Sequence, residues 1–181
     1  MTRSAWPAHL SDEPESGSFP PSDYDGARVW IQRAVAERWV DRLSTAARQH
    51  QRGRVREAAL EALRSLGDPS AGPAVVAALR DRDSFVRCAA VTALAEVVER
   101  EAAVSELIPV LRDDEAFVRA RAAHALIELG DQRAVEPLLR MLHDEPPGSS
   151  PQRAAAVALE GLGAGRMRGS RGRPVASPIA L

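Results

Sequence analysis

A five-residue string returns along this chain at nearly even spacing. Val55-Arg56-Glu57-Ala58-Ala59 is followed by Val86-Arg87-Cys88-Ala89-Ala90 and by Val118-Arg119-Ala120-Arg121-Ala122. A weaker fourth copy reads Pro151-Gln152-Arg153-Ala154-Ala155. The starts at 55, 86, 118 and 151 lie 31, 32 and 33 residues apart. A period of this size marks one small helical or mixed module that cannot bury its apolar face alone, so neighbouring modules must stack. The repeat therefore constrains the architecture strongly and the partner hardly at all.

Within each copy, apolar residues fall at offsets 0, 4, 8 and 11 from the start. Val55, Ala59, Leu63 and Leu66 are one set, and Val118, Ala122, Leu126 and Leu129 another. That spacing makes one stripe of an α-helix. Gly67, Gly130 and Gly163 follow at offset 12, where a left-handed helix end favours glycine. Asp68 and Asp131 come next and are placed to cap the following helix, with Pro69 at its first position. The second copy has no such glycine, and Val98-Glu99-Arg100-Glu101 predicts a tighter or more helical turn. A second helix in each repeat ends at Leu79-Arg80-Asp81, Leu111-Arg112-Asp113 and Leu142-His143-Asp144, with Pro109 inside one of them. The run 144–150 reads as a protruding loop, with Ser150-Pro151 restarting the last helix as cap and first residue.

The flanks differ from the repeats. Residues 1–22 scatter Pro, Ser, Gly and acids without period and predict a disordered lead. Residues 23–52 predict one capping helix, started by Asp23 or Asp25 and ended by Gly53. Ile31, Val35, Trp39, Leu43 and Ala46 line one face of it. Residues 53–163 form the repeat array, and 164–181 read as a disordered basic tail.

Charge and composition exclude several function classes. The net charge is -1 over 181 residues. It divides into -4 for 1–25, +5 for 26–54, -6 for 55–163 and +4 for 164–181. An acidic repeat region opposes phosphate binding. All 24 basic residues are arginine, which genome composition explains without chemistry. The single cysteine, Cys88, excludes an internal disulfide and any multi-cysteine metal site. No signal-peptide pattern and no long apolar run occur, so a cytoplasmic protein with no membrane segment is expected.

The line Ala134-Val135-Glu136-Pro137-Leu138-Leu139-Arg140-Met141-Leu142-His143-Asp144, joined to Val118 through Gly130, resembles the short HEAT-like repeats first described in phycobilin lyase subunits. The resemblance covers about residues 55 to 163. It implies an all-α fold: a right-handed α-solenoid, or α-α superhelix, of about four short HEAT-like helix pairs. It also implies that Arg87 and Arg119 and the turn acids Asp81, Asp83, Asp113 and Asp114 tie neighbouring turns together. These charged residues are read as structural.

Catalytic patterns are missing. Deoxyhypusine hydroxylase resembles this repeat family but carries paired His-Glu iron ligands. Here the four histidines are followed by Leu10, Gln51, Ala125 and Asp144. No phosphate loop and no serine nucleophile motif occurs. The expectation is a non-enzyme with no cofactor and no metal: a scaffold or adaptor that binds a protein segment on its concave face. Offsets 2, 6 and 9–10, with their neighbours, point to Glu57, Glu61, Arg64, Thr92, Glu96, Arg121, His124 and Glu128 as the lining. Its acidic bias calls for a basic partner segment. Two alternatives stand behind this one. A nucleic-acid binder would use Arg28, Arg33, Arg38, Arg42 and Arg48 with Arg166, Arg168, Arg171 and Arg173. A phycobilin-lyase-like enzyme subunit would follow the family resemblance. The partner and the oligomeric state are not encoded in any pattern here.

Overall fold

The protein was studied as a computed structural model. It describes residue 20 and residues 24–169, with the side chains of 25–163 and of residue 20. The disordered lead expected at 1–22 and the end of the basic tail, from residue 170, fall outside the described residues apart from residue 20. Every element described is helical: α1 Tyr24–Ala36, α2 Val40–Gln49, α3 Gly53–Leu66, α4 Gly72–Ala78, α5 Ser84–Val97, α6 Arg100–Val110, α7 Ala116–Leu129, α8 Val135–Asp144 and α9 Ser150–Gly169. Short 3-10 turns precede α4 and α8. No strand occurs among the described residues.

The chain divides into two compact units, one ending at Val98 and the other beginning at Glu99. In the first, α2 packs on α3 and α4 on α5, while α1 lies against α3. In the second, α6 packs on α7 and α8 on α9. Four helix pairs result, two per unit. Long-range packing runs between successive second helices, α3 with α5 and α7 with α9.

The core follows the repeat. Val55, Val86 and Val118 at offset 0 are buried, as are Leu63, Leu94 and Leu126 at offset 8. Offset 4 is alanine in all four copies: Ala59, Ala90, Ala122 and Ala155 are fully buried. A methyl side chain there lets neighbouring helices approach closely. Burial also extends to offset 5 (Leu60, Val91, Ala123) and offset 7 (Ala62, Ala93, Ala125). The stripe is broader than an amphipathic surface helix needs, because these helices have packed neighbours on more than one side.

Five local expectations need correction. The segment 23–52 is two helices. After α1 the backbone takes a left-handed step at Arg38, φ 55°. There Trp39 N–H bonds Ala34 O at 2.8 Å and Arg38 N–H bonds Val35 O at 3.1 Å. That is the Schellman pattern, reached without glycine. Its apolar clasp is Trp39 against Trp30, with ring centroids 6.1 Å apart. Second, Gly53 starts α3 instead of closing the segment before it. Third, the glycine-free turn is helical only from Arg100, where α6 starts; Val98 before it is extended and Glu99 has ψ 137°. Fourth, the cap of α9 is Ser149, whose Oγ accepts from Gln152 N at 3.2 Å; Ser150 is already helical. Last, Gly163 lies inside α9, which runs on to Gly169 into the stretch read as tail. Gly67 and Gly130 do cap their helices, at φ 59° and 63°. Asp68 and Asp131 cap the turns that follow.

Arginine at offset 1 ties the turns. Arg56 is only 3% exposed. Its Nη1 donates to the carbonyls of His50 and Gln51 at 2.7 and 3.1 Å, in the turn before α3. Its Nε and Nη2 donate to the Asp81 carboxylate, both at 2.7 Å, in the turn one repeat later. Arg119 repeats the arrangement in the second unit. It donates to Asp113 O and Asp114 O at 2.7 and 3.0 Å and pairs with Glu145. Arg87 donates to Asp81 O at 2.9 Å. The preceding turn thus supplies carbonyls, and the next turn supplies the acid. Arg56 and Arg119 tie neighbouring turns, as the family resemblance implied for the repeat arginines.

Burial works against the charge on Asp81. The Arg56 fork and the Asp83 N–H outweigh it, and the carboxyl sits below its ordinary value of 3.8. Asp131 is drawn down to about 2, chiefly by the Arg133 side chain and also by the Arg133 N–H. A lowered native pKa gives stability that is complete above the ordinary carboxylate value and is lost as pH falls through the native one. Urea midpoints should therefore fall between about pH 4 and about pH 2, and fall less in Asp81→Asn. Arg56→Ala leaves the acid unpaired and should cost about 3–5 kcal/mol at neutral pH. In the core, Leu94→Ala or Leu126→Ala should cost about 2–5 kcal/mol, against about 0.5 kcal/mol or less for exposed Arg121→Ala. Equal losses at the two kinds of position would contradict the register.

Candidate functional site

The repeat register brings offsets -1, 2, 3 and 6 of α3 beside the same offsets of α5. An open groove of about 760 Å³ lies between them. From α3 it is walled by Arg54, Glu57, Ala58 and Glu61. From α5 and its cap come Asp83, Phe85, Cys88, Ala89 and Thr92. The floor is small, so the two helices leave room above it. The rim is charged, and Phe85 is 64% exposed beside it.

Asp83 is held firmly in place. Its Oδ1 accepts from Phe85 N at 3.0 Å and caps α5. Its Oδ2 would lie only 1.9 Å from a Cβ added at Gly53, so the carboxylate needs a residue without a side chain at the start of α3. Further along the same face, Arg64 bridges two acids. Its Nε donates to Glu61 at 3.0 Å and its Nη1 to Glu96 at 2.8 Å. The Arg64 side chain pulls the Glu61 carboxyl below its ordinary value. Thr92 donates its hydroxyl to Cys88 O at 3.1 Å, which leaves only its lone pairs for a ligand.

Of the eight residues singled out in the sequence, Glu57, Glu61 and Thr92 line this groove. Arg64 and Glu96 join them through the bridge on the same pair of helices. Arg121, His124 and Glu128 are exposed on α7, in the other unit. Arg54, Asp83, Phe85, Cys88 and their alanine neighbours were missed as lining. The signal for Phe85 was present: an aromatic precedes Val-Arg in Ser84-Phe85-Val86-Arg87 and again in Ala116-Phe117-Val118-Arg119. Phe117 is also exposed, at 38%.

A second groove, in the second unit, is walled by Ile108, Pro109, Pro137 and Met141 together with Arg119 and Glu145. Its central charges are already used, Arg119 by Glu145 and Arg140 by Glu136. Three arginines of the N-terminal segment, Arg33, Arg38 and Arg42, are also engaged. Arg33 pairs with Glu37 at 2.9 Å, and Arg38 approaches Asp68 at 4.0 Å. Arg33 and Arg42 lie over the Trp39 ring at 5.5 and 4.3 Å from its centroid. That aromatic face is covered by guanidinium and is closed to a stacking base.

Among the described residues no group of three or more His, Cys, Asp or Glu is placed to hold a metal ion. None of the described helices is long and apolar enough to cross a membrane.

The HEAT-repeat family model matches residues 30–95 and 73–160. The chain belongs to the HEAT-repeat family. No curated protein matches it. Among solved structures, human deoxyhypusine hydroxylase in complex with glycerol is similar to this HEAT-repeat chain, with a TM-score of 0.61 and 27% identity. The match covers 82% of this chain and 51% of that one, so this chain spans about half the length of its structural relative. The fold class is that of an α-solenoid of HEAT helix pairs.

The Gly53–Asp83 approach makes a sharp test of the groove's construction. Gly53→Ala should displace the Asp83 carboxylate and weaken the α5 cap, costing about 1–2 kcal/mol. Gly163→Ala, inside α9 with open space around the new methyl, should instead stabilise by about 0.5–1 kcal/mol. Thermal melts of both variants decide it.

Proposed function

We propose that this chain is a non-catalytic scaffold of the cytoplasm that binds a protein segment on the α3/α5 face. The observation that carries the reading is the groove itself. It is open, built on rigid helices, and rich in acceptors: Glu57, Glu61, Asp83 and the Thr92 oxygen face a single donor side chain, Arg54. Such a surface suits a donor-rich, basic segment. Stacked helix repeats commonly offer extended surfaces of this kind.

The absence of a His-Glu dipeptide in the sequence supports a role without chemistry. Deoxyhypusine hydroxylase, a structural relative, is an enzyme of which the match covers only 51%, and the resemblance in fold does not carry its activity. A nucleic-acid role is the weaker reading, because Arg33, Arg38 and Arg42 already face acids or Trp39. One free cysteine fits a reducing compartment.

The test is capture with the immobilised full chain, run beside a gel shift with duplex DNA. Glu61→Arg and Glu96→Arg should each reduce capture of the protein partner several-fold, and raising the salt should weaken it because exposed charges are screened within about 10 Å at 0.1 M. DNA should not shift at physiological salt. Capture that survives charge reversal but is lost on deleting residues 170–181 would overturn the reading.

A further inference from the structure

We propose that the α3/α5 groove recognises an arginine side chain of the partner segment, its guanidinium paired with Glu57 and laid against Phe85. The inference rests on the protein-binding reading and gives that segment its chemistry. Glu57 makes no hydrogen bond or ion pair among the described residues, although it lines the groove half-buried. The neighbouring acids are committed: Glu61 to Arg64, and Asp83 to the cap of α5. Glu57 is therefore the carboxylate that the fold leaves for a ligand.

The rest of the groove selects the kind of cation. Ala58 and Ala89 form a shallow floor over which a flat group can slide. Phe85 stands at the rim with most of its surface in solvent. Thr92 can only accept. A guanidinium is planar, weakly hydrated, stacks on aromatic rings and grips a carboxylate with two parallel hydrogen bonds. An ammonium would gain the charge but neither the stacking nor the fork. An anion or a phosphate backbone would meet a surplus of acceptors. Charge complementarity and shape thus favour arginine over lysine and over nucleic acid.

The test uses fluorescein-labelled peptides of alternating arginine and alanine, with lysine and citrulline counterparts, titrated against the full chain by anisotropy at about 0.1 M salt. The arginine peptide should bind about tenfold tighter than the citrulline peptide, with lysine between them. Glu57→Gln should erase most of the arginine-over-citrulline difference. Phe85→Ala should erase most of the arginine-over-lysine difference. Glu160→Gln on α9, exposed and outside every proposed lining, should change neither. All three positions are at the surface, and unchanged melting curves will show that the variants fold. Equal binding of arginine and citrulline peptides overturns the proposal, as does an equal loss in Glu57→Gln and Glu160→Gln. So does self-association in sedimentation that Phe85→Ala abolishes, since the occupant would then be a second copy of this chain. If the peptides fail while Glu61→Arg still abolishes capture of a protein partner, the arginine assignment falls and the binding face stands. If both fail, the face falls too.

Discussion

A guanidinium that is nearly out of water, Arg56, organises the first unit. Its charge cannot be buried without partners. The preceding turn satisfies it with two carbonyls and the following turn with a bidentate carboxylate, Asp81. One side chain therefore fixes the distance and register between successive turns. Arg119 does the same in the second unit with Asp113, Asp114 and Glu145. The alanines at offset 4 can then pack helix against helix, and any sideways slip would break the fork before it broke the apolar contacts.

That register has a consequence for the opposite face. With α3 and α5 aligned offset by offset, equivalent positions face each other across a groove. Offsets 3 are Ala58 and Ala89, offsets 2 are Glu57 and Cys88, and offsets -1 are Arg54 and Phe85. The groove is open because its floor residues are small, and it is acidic because α3 carries glutamate where α5 carries cysteine and threonine. The charged residues split into two kinds. Arg56, Asp81, Arg119 and Glu145 are spent on register. Glu57 makes no hydrogen bond or ion pair among the described residues, and the proposed arginine would pair with it.

Much of this was legible in the repeat. Its period, its 0-4-8-11 stripe and the Gly-Asp pair at helix ends led directly to helix pairs, to the buried Leu63, Leu94 and Leu126, and to the capped turns after Gly67 and Gly130. The errors lie where local pattern did not decide the backbone. Two of them fell where a contact with another part of the chain outweighed a local rule. No breaker separates α1 from α2, yet the Trp39–Trp30 clasp stabilises a left-handed arginine there. Gly53 looked like a terminator, but its lack of a side chain serves the Asp83 carboxylate one repeat away. Gly163 sits at the capping offset, yet α9 continues through it.

The sequence by itself determined the helical class, the repeat period and the identity of the core, because these depend on periodicity within single helices. It also marked Glu57, Glu61 and Thr92 as exposed on one face. It did not determine which acid each arginine would meet. Arg56 and Asp81 are 25 positions apart, and only packing makes them neighbours. Nor did it single out Glu57 from the other glutamates. That distinction depends on which carboxylates are already satisfied by Arg64 or by a helix start, and only the assembled helices decide it.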